Sequence, residues 1–310
     1  MRSAGRVYRV IAALGATGAA VVVLAVAVAV RSLSLGGPTP DRLLQACREV
    51  VFSGQTGISA LVLALTGIGL AVLGLAVRSA VRHCRAQRAV LSSLQVQRDT
   101  ACRGTELRVF AHQSPVAFCA GLLRPRVYVS TGALETVEDR SLAAVVEHEA
   151  HHCHRRDPLR ILIVEVLSDC LFFLPVMRHL RERYHTLAEV AADEAALTVG
   201  ADRRSLAAAL LAFTERPAGV VGIAPERVDH LLGERPRGEL PFSLLMAALV
   251  TLAALMAVAM IVAHTAAPGA LSVAVLSAQA CMIGMVVLPL ALGVCLVALT
   301  RRRWQGARHS

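Results

Sequence analysis

Residues 240–300 contain no Asp, Glu, Lys or Arg, and this stretch constrains the fold more than any other feature of the sequence. A helix crosses the roughly 30 Å hydrocarbon core of a bilayer with about 20 apolar residues. The stretch is too long for one such helix, and the segment around Pro268 divides it. It therefore predicts two membrane spans, at residues 242–262 and 271–299.

Two more apolar stretches lie in the N-terminal part of the sequence, at residues 10–30 and 58–77. The first is longer than the roughly 7–15 apolar residues of a cleaved signal peptide, so we interpret it as an anchor. A composition of 55% hydrophobic and 17% charged residues excludes an ordinary soluble domain. The fold class predicted is a mainly α integral membrane protein with about four transmembrane helices.

Positive charge flanks these spans, and it predicts their orientation because short cytoplasmic flanks carry the excess of Arg and Lys. The flanking residues are Arg2, Arg6 and Arg9, then Arg78, Arg82, Arg85 and Arg88, then Arg301, Arg302 and Arg303. We expect both termini and the middle segment on the cytoplasmic side. All basic residues are Arg, which is typical of a GC-rich bacterial genome, so the expected location is a bacterial cell membrane.

The net charge of +10 is explained by this topology and by attraction to anionic membrane lipid. Direct nucleic-acid binding is not expected, because the Arg residues flank spans and are not interleaved with aromatic residues on one face. The predicted organisation is a transmembrane pair in residues 1–80, a cytosol-facing domain at 81–239, a second pair at 240–300 and a basic tail at 301–310.

Short runs of β-branched and aromatic residues open the middle domain, at 106–110, 116–118 and 127–130. They predict two or three strands of a small sheet. Ser130 and Thr131 are candidates to cap a short helix, and Asp139 to cap the next one. That second helix should end just before Pro158.

Residues 159–176 are apolar but interrupted by Glu165 and Asp169. We predict a core or membrane-grazing helix that ends near Pro175, since a crossing would separate the two halves of the site described next. Further helices are expected at 187–199 and 204–215, with a weaker one near 227–232.

The motif His148-Glu149-Ala150-His151-His152 lies on the helix expected before Pro158. Residues four apart share a helical face, so His148 and His152 can bind one metal ion. Zinc favours imidazole ligands, and a catalytic zinc site leaves one position for water. Glu149 can take a proton from that water and pass it to the leaving amine.

A third ligand is expected from the downstream helix, where Glu189 and Asp193 are also four apart. Glu189 can complete the ligand set of one Zn²⁺ ion. Asp193 can accept a hydrogen bond from a ligand histidine and fix its tautomer. The alternatives are that Glu194 is the ligand, or that Glu189 and Asp193 form a solvated face.

Several nearby residues have open roles. His151 and His154 point off the predicted ligand face, and Asp157 is interpreted as a cap or structural anchor rather than a catalytic group. Either Tyr184 or His185 could stabilise the oxyanion. The eight cysteines include no C-x-x-C pair, so we expect small buried residues with reduced thiols.

Two strings carry a resemblance to a known family: H-E-A-H-H-C-H-R-R-D-P at 148–158 and E-V-A-A-D-E-A at 189–195. They resemble BlaR- and MecR-type membrane metallopeptidases, the antirepressor sensors of β-lactam resistance, and are similar to the HtpX and CAAX-prenyl-protease group. Residues 115–121 and 125–130 resemble the strand region before the zinc helix of these families, and 227–232 a segment after their active-site helices. The resemblance implies an edge strand that aligns an extended substrate.

The function expected is therefore a membrane zinc endopeptidase with a small α+β, gluzincin-like domain. Its substrate would be a protein or peptide, such as a transcriptional repressor. The alternatives are HtpX-like quality control, or a non-catalytic zinc-binding signalling protein; a transporter fits least, since the spans lack ionisable groups. The sensors carry a penicillin-binding domain after their last span, whereas ten residues follow here, so direct β-lactam sensing is not expected.

Overall fold

The computed structural model describes residues 2–34, 41, 55–198, 242–265 and 271–272. In chain order its elements are α1 (Arg2–Ser32), β1 (Leu33–Ser34), α2 (Gln55–Ser93), β2 (Val96–Cys102), β3 (Thr105–Phe110), β4 (Ala117–Ala120), β5 (Arg126–Ser130), α3 (Thr131–Thr136), α4 (Asp139–Arg155), α5 (Asp157–Cys170), α6 (Pro175–Thr198), α7 (Phe242–Thr265) and β6 (Leu271–Ser272). The described part is mostly helical, with one four-stranded sheet and one short two-stranded sheet.

Three helices in the described part are long and apolar enough to cross a membrane: α1, α2 and α7. They contain the predicted spans at 10–30, 58–77 and 242–262. Helix α2 has 39 residues, and at 1.5 Å per residue it exceeds the thickness of the hydrocarbon core by about 28 Å. Its C-terminal part carries the exposed residues Arg78, Arg82, Arg85 and Arg88, so that part extends beyond the apolar span.

The predicted fourth span begins at residues that form a strand instead. Leu271–Ser272 pairs in parallel with Leu33–Ser34, and the rest of 271–299 lies outside the described residues. The helices expected at 204–215 and 227–232, the tail at 301–310 and most of the loop after α1 lie outside them as well. These expectations, and the domain boundaries at 80 and 239, stay predictions.

The chain divides into two compact units by its internal packing. The unit of residues 20–70 and 253–310 has a small apolar core, formed by Ala25, Val28, Val62, Leu65, Ala259 and Val262. The guanidinium group of Arg31 donates a hydrogen bond to the carbonyl of Ala263 in this unit. The other unit, residues 1–19 and 71–252, contains the sheet and helices α3 to α6.

The four-stranded sheet has the order β2-β3-β5-β4, so β2 and β4 are its edges. Strands β3 and β5 are parallel, while β2 pairs antiparallel with β3 and β4 antiparallel with β5. Leu107, Val127 and Val129 from the central strands pack against Leu142 and Val146 of α4. The sheet thus supports the helix that carries His148 and His152. Strand β2 was not predicted from the sequence, and its side chains are almost all exposed.

Helix α3 begins as predicted, because the Ser130 hydroxyl accepts a hydrogen bond from the amide of Ala133. The prediction for α4 was wrong by one residue: Glu138 is the N-cap and makes no side-chain capping bond, and Asp139 lies in the first turn. There the negative charge of the Asp139 carboxylate still stabilises the helix, because it lies near the positive end of the helix dipole.

Helices α5 and α6 follow α4 closely. Helix α5 has only 14 residues, about 21 Å, and is not one of the three candidate spans. Helix α6 begins at Pro175, twelve residues before the expected helix at 187–199, so that boundary was wrong. The amides of a helix's first turn have no partner within the helix, so a proline, which lacks an amide proton, fits there. Pro175 is therefore the first residue of α6, whereas the sequence analysis predicted it only as the end of the preceding helix.

Candidate metal centre

Helix α4 places His148, Glu149 and His152 in a buried position. Their exposed fractions are 4%, 8% and 8%. The helical spacing of four residues brings the two imidazoles together, with Nε2 of His148 3.3 Å from Nε2 of His152. The two side chains therefore present one nitrogen each to the same point.

The carboxylate of Glu189 on α6 completes this group. Its oxygens lie 3.6 Å from Nε2 of His148 and 3.5 Å from Nε2 of His152. A tetrahedral zinc ion with ligand bonds of about 2.0–2.1 Å holds its donor atoms about 3.3 Å apart. The three side chains thus fit a metal ion of this size, with ligand atoms within 4.8 Å of one another.

The other ring nitrogen of each histidine faces a buried carboxylate. Nδ1 of His148 lies 2.9 Å from Oδ1 of Asp193, which is fully buried. Nδ1 of His152 lies 2.9 Å from Oδ2 of Asp157, which is 1% exposed. Each carboxylate favours a proton on Nδ1, and this leaves the lone pair of Nε2 free for a metal ion.

The turn between α4 and α5 explains how Asp157 reaches His152. Arg156 adopts a left-handed conformation (φ 54°), and its amide donates to the carbonyl of Cys153. Pro158 then lies in the first turn of α5, where its missing amide proton costs nothing. The chain therefore folds back, and the first residue of α5 comes to lie beside the last turn of α4.

Asp157 has further partners that offset its burial. The Tyr184 hydroxyl donates to Oδ1 at 3.3 Å, and Nε of Arg155 lies 3.5 Å from the same oxygen. A buried carboxylate needs such partners because desolvation is costly. The sequence predicts a cap or structural anchor at Asp157, whereas in the structure its carboxylate contacts His152. The signal available was an acidic residue five positions after His152, at a point where proline must end the helix.

Acidic neighbours dominate the electrostatics of His148. Burial by itself lowers the pKa of His148, but the carboxylates of Asp193, Glu189 and Glu149 raise it to about 9. This concentration of negative charge around one imidazole suits a divalent cation.

Glu149 faces the edge strand of the sheet. Its Oε2 accepts a hydrogen bond of 2.9 Å from the backbone amide of Cys119 in β4. The candidate base is therefore held between α4 and an edge strand of the sheet, and an edge strand is what the family resemblance implied for substrate alignment.

The remaining candidates have other surroundings. Burial and the charge of Arg155 lower the pKa of His151 to about 4, and His154 donates from Nδ1 to the carbonyl of Ala150. Neither belongs to the metal-binding group of the described residues, and Glu194 does not either. Of the two oxyanion candidates, Tyr184 is fully buried against Asp157, and Nε2 of His185 lies 2.9 Å from Glu165.

A disulfide joins Cys119 of β4 to Cys153 of α4. The expectation of reduced thiols is therefore wrong for this pair, while Cys84, Cys102 and Cys170 are free. The two cysteines are separated by 34 positions, and only the packing of α4 on the sheet brings them together.

Comparison with known proteins gives one family. The family model described as BlaR1 peptidase M56 matches residues 44–228, which is more than half of the chain. The match includes both helices that supply the clustered side chains. No curated protein matches the chain.

Proposed function

The chain belongs to the BlaR1 peptidase M56 family, and on that basis we propose that it is a membrane-embedded zinc-dependent endopeptidase. One observation carries the proposal: His148, His152 and Glu189 converge, with Glu149 beside them. A purely structural zinc site needs no carboxylate poised as a base, and this favours catalysis over a signalling protein that only binds zinc.

His148, His152 and Glu189 would hold the zinc ion, each with one ligand atom. When bound, zinc supplies a Lewis acid that lowers the pKa of a water molecule toward about 7 and polarises the scissile carbonyl. Asp193 and Asp157 orient the two imidazoles through their Nδ1 atoms. The chain would thus supply three ligands, the number that catalytic zinc centres use.

Glu149 is the proposed general base and acid. Its carboxylate takes a proton from the attacking water and gives it to the nitrogen of the leaving amine. In the disulfide form Oε2 of Glu149 accepts a hydrogen bond of 2.9 Å from the amide of Cys119, so the water would use Oε1. The burial of Glu149 keeps bulk water from competing with this proton transfer.

The substrate would bind as an extended segment along β4. This strand is an edge of the sheet, so its outward amides and carbonyls can pair with an added strand. Glu149 touches this edge, which places the proposed base close to the backbone of such a segment. Folded proteins would need a flexible region to enter.

The proposed membrane side rests on the positive charge that flanks the apolar spans. The exposed Arg residues after the apolar part of α2 support a site at the cytoplasmic surface of a bacterial cell membrane. Membership in the BlaR1 family supports a cytosolic transcriptional repressor as the first substrate to test. If the proteins that are cleaved are membrane proteins rather than a repressor, a quality-control role would be favoured.

The proposed function can be tested in cells that carry either the wild-type protein or the Glu149→Gln variant. The measurement compares the protein N-termini that newly appear in the two strains. We expect a cleavage product, and depletion of its parent protein, only with wild type. Identical N-termini in the two strains, with both proteins present in the membrane, would refute the peptidase proposal.

A further inference from the structure

The disulfide between Cys119 and Cys153 links the two sides of the proposed active site. Cys153 directly follows the proposed ligand His152 on α4, and the amide of Cys119 donates to Glu149. The bond therefore fixes the edge strand to the helix that supplies two ligands and the base. Its Cα atoms are 6.0 Å apart.

The amide of Cys119 points toward the open edge of the sheet. Successive residues in a strand direct their backbone groups to alternate sides, and this amide reaches Glu149 rather than β5. An extended substrate that adds to β4 needs the same donor. In the disulfide form the donor for substrate and the proposed base are thus paired with each other.

A cavity of about 380 Å³ opens beside the disulfide. Its lining includes Cys153 and His154, together with the charged residues Arg126, Arg156 and Glu106. Both cysteines are partly exposed. The cavity is large enough for a small thiol. Its two Arg residues outweigh the single Glu106, so the lining favours a thiol that carries carboxylates, such as glutathione.

Disulfides in a cytosolic domain are usually transient and act in catalysis or redox sensing. We propose that Cys119–Cys153 is a thiol–disulfide switch that lowers peptidase activity when oxidised and raises it when reduced by a small carboxylate-bearing thiol. The switch rests on the proposed function, because it controls how that site receives its substrate.

The chemistry is an exchange of thiols for disulfides. The thiolate of one small thiol attacks a sulfur of the protein bond, which breaks and releases the other cysteine as a thiolate. The thiolate of a second small thiol then attacks the sulfur of the first, which releases the remaining protein cysteine as a thiolate. Two electrons and two protons pass from the two small thiols to Cys119 and Cys153, and the small disulfide leaves.

Full-length protein in detergent, equilibrated with reduced or oxidised glutathione, tests the switch. Alkylation followed by mass spectrometry should count two more thiols after reduction. Hydrogen exchange of Ala117–Ala120 should become faster, since the tether to α4 is lost. Peptidase activity should rise severalfold on reduction. Cys153→Ser should show the reduced level in both buffers, while Cys84→Ser should respond like wild type.

Two results would overturn the proposal. One is activity that is equal in both buffers although the thiol count changes. The other is a Cys153→Ser protein that still responds to glutathione. If no cleavage occurs in either buffer, the proposed function fails. Thiol counting and hydrogen exchange do not depend on cleavage, so they test the switch separately from the proposed function. If the hydrogen exchange of β4 did not change on reduction, that result alone would refute the switch.

Discussion

Asp157 Oδ2 accepts a hydrogen bond of 2.9 Å from Nδ1 of His152, although α4 has already ended between them. The contact connects the start of α5 to the proposed metal site. With Asp193 beside His148, it gives both imidazoles a carboxylate of their own. The orientation of the proposed ligands therefore depends on two buried acids from different helices.

Asp157→Asn should lower zinc affinity about 10- to 100-fold, because the substitution removes the charge that orients and polarises His152. Zinc affinity can be measured by competition with a chelator in purified protein. Asp139→Asn is the matched control, since Asp139 is exposed at the other end of α4. Equal affinity of Asp157→Asn and wild type would show that the contact has no role in metal binding.

Glu149→Gln should reduce the cleavage rate about 10²- to 10⁴-fold and leave the zinc content unchanged, because the amide cannot carry the proton. Metal analysis and peptide cleavage on the same sample separate the two effects. Glu147→Gln on the same helix, which makes no contact with the metal group, should keep both. An active Glu149→Gln protein would exclude this residue as the base.

Glu189→Gln should release the metal, because the proposed ligand group of His148, His152 and Glu189 loses its carboxylate. Glu194→Gln, five residues later on α6, discriminates the alternative ligand. We expect zinc loss only in the first variant, measured by metal content after dialysis. The reverse pattern would assign Glu194 as the ligand.

Gly132→Ala should destabilise the protein by about 3 kcal/mol or more, because the added Cβ would overlap the carbonyl oxygen of Gln113. Backbone atoms on both sides leave no room to move, since the amide of Gly132 is bonded to His112. Gly74→Ala is the control, because its Cβ would meet open space. Thermal unfolding that is equal for both variants would contradict the packing described.

We expect the Glu165 carboxylate to contribute to the free energy of unfolding in a way that is lost in acid. The hydrogen bond from His185, with the nearby charges of His185 and Arg181, holds the pKa of Glu165 below its ordinary 4.5 despite partial burial. A lowered pKa stabilises the fold above about pH 4.5, and this stabilisation is lost as the pH falls through the folded value. Glu165→Gln should therefore be less stable than wild type at pH 7, and the difference should shrink in acid. Exposed Glu182→Gln should show no such trend in denaturant unfolding.

Local patterns in the sequence were sufficient for much of this structure. The three described apolar helices follow from uncharged runs of the right length, since a bilayer accepts little else. The spacing of four in His148 and His152, and the choice of Glu189, predicted a group that the structure does bring together. Helical periodicity determines which residues of one helix are neighbours, so such pairs can be predicted from the sequence without knowledge of the tertiary structure.

Pairings between distant elements needed the tertiary structure. Strand β2 is polar and exposed, and it exists because β3 offers it backbone partners rather than because of its own pattern. The start of α6 at Pro175, the contact of Asp157 with His152 and the bond between Cys119 and Cys153 likewise depend on how α4 packs on the sheet and turns into α5. Composition and periodicity decide which residues are helical or buried, but the partner of a particular carboxylate or thiol is set by the three-dimensional path of the chain.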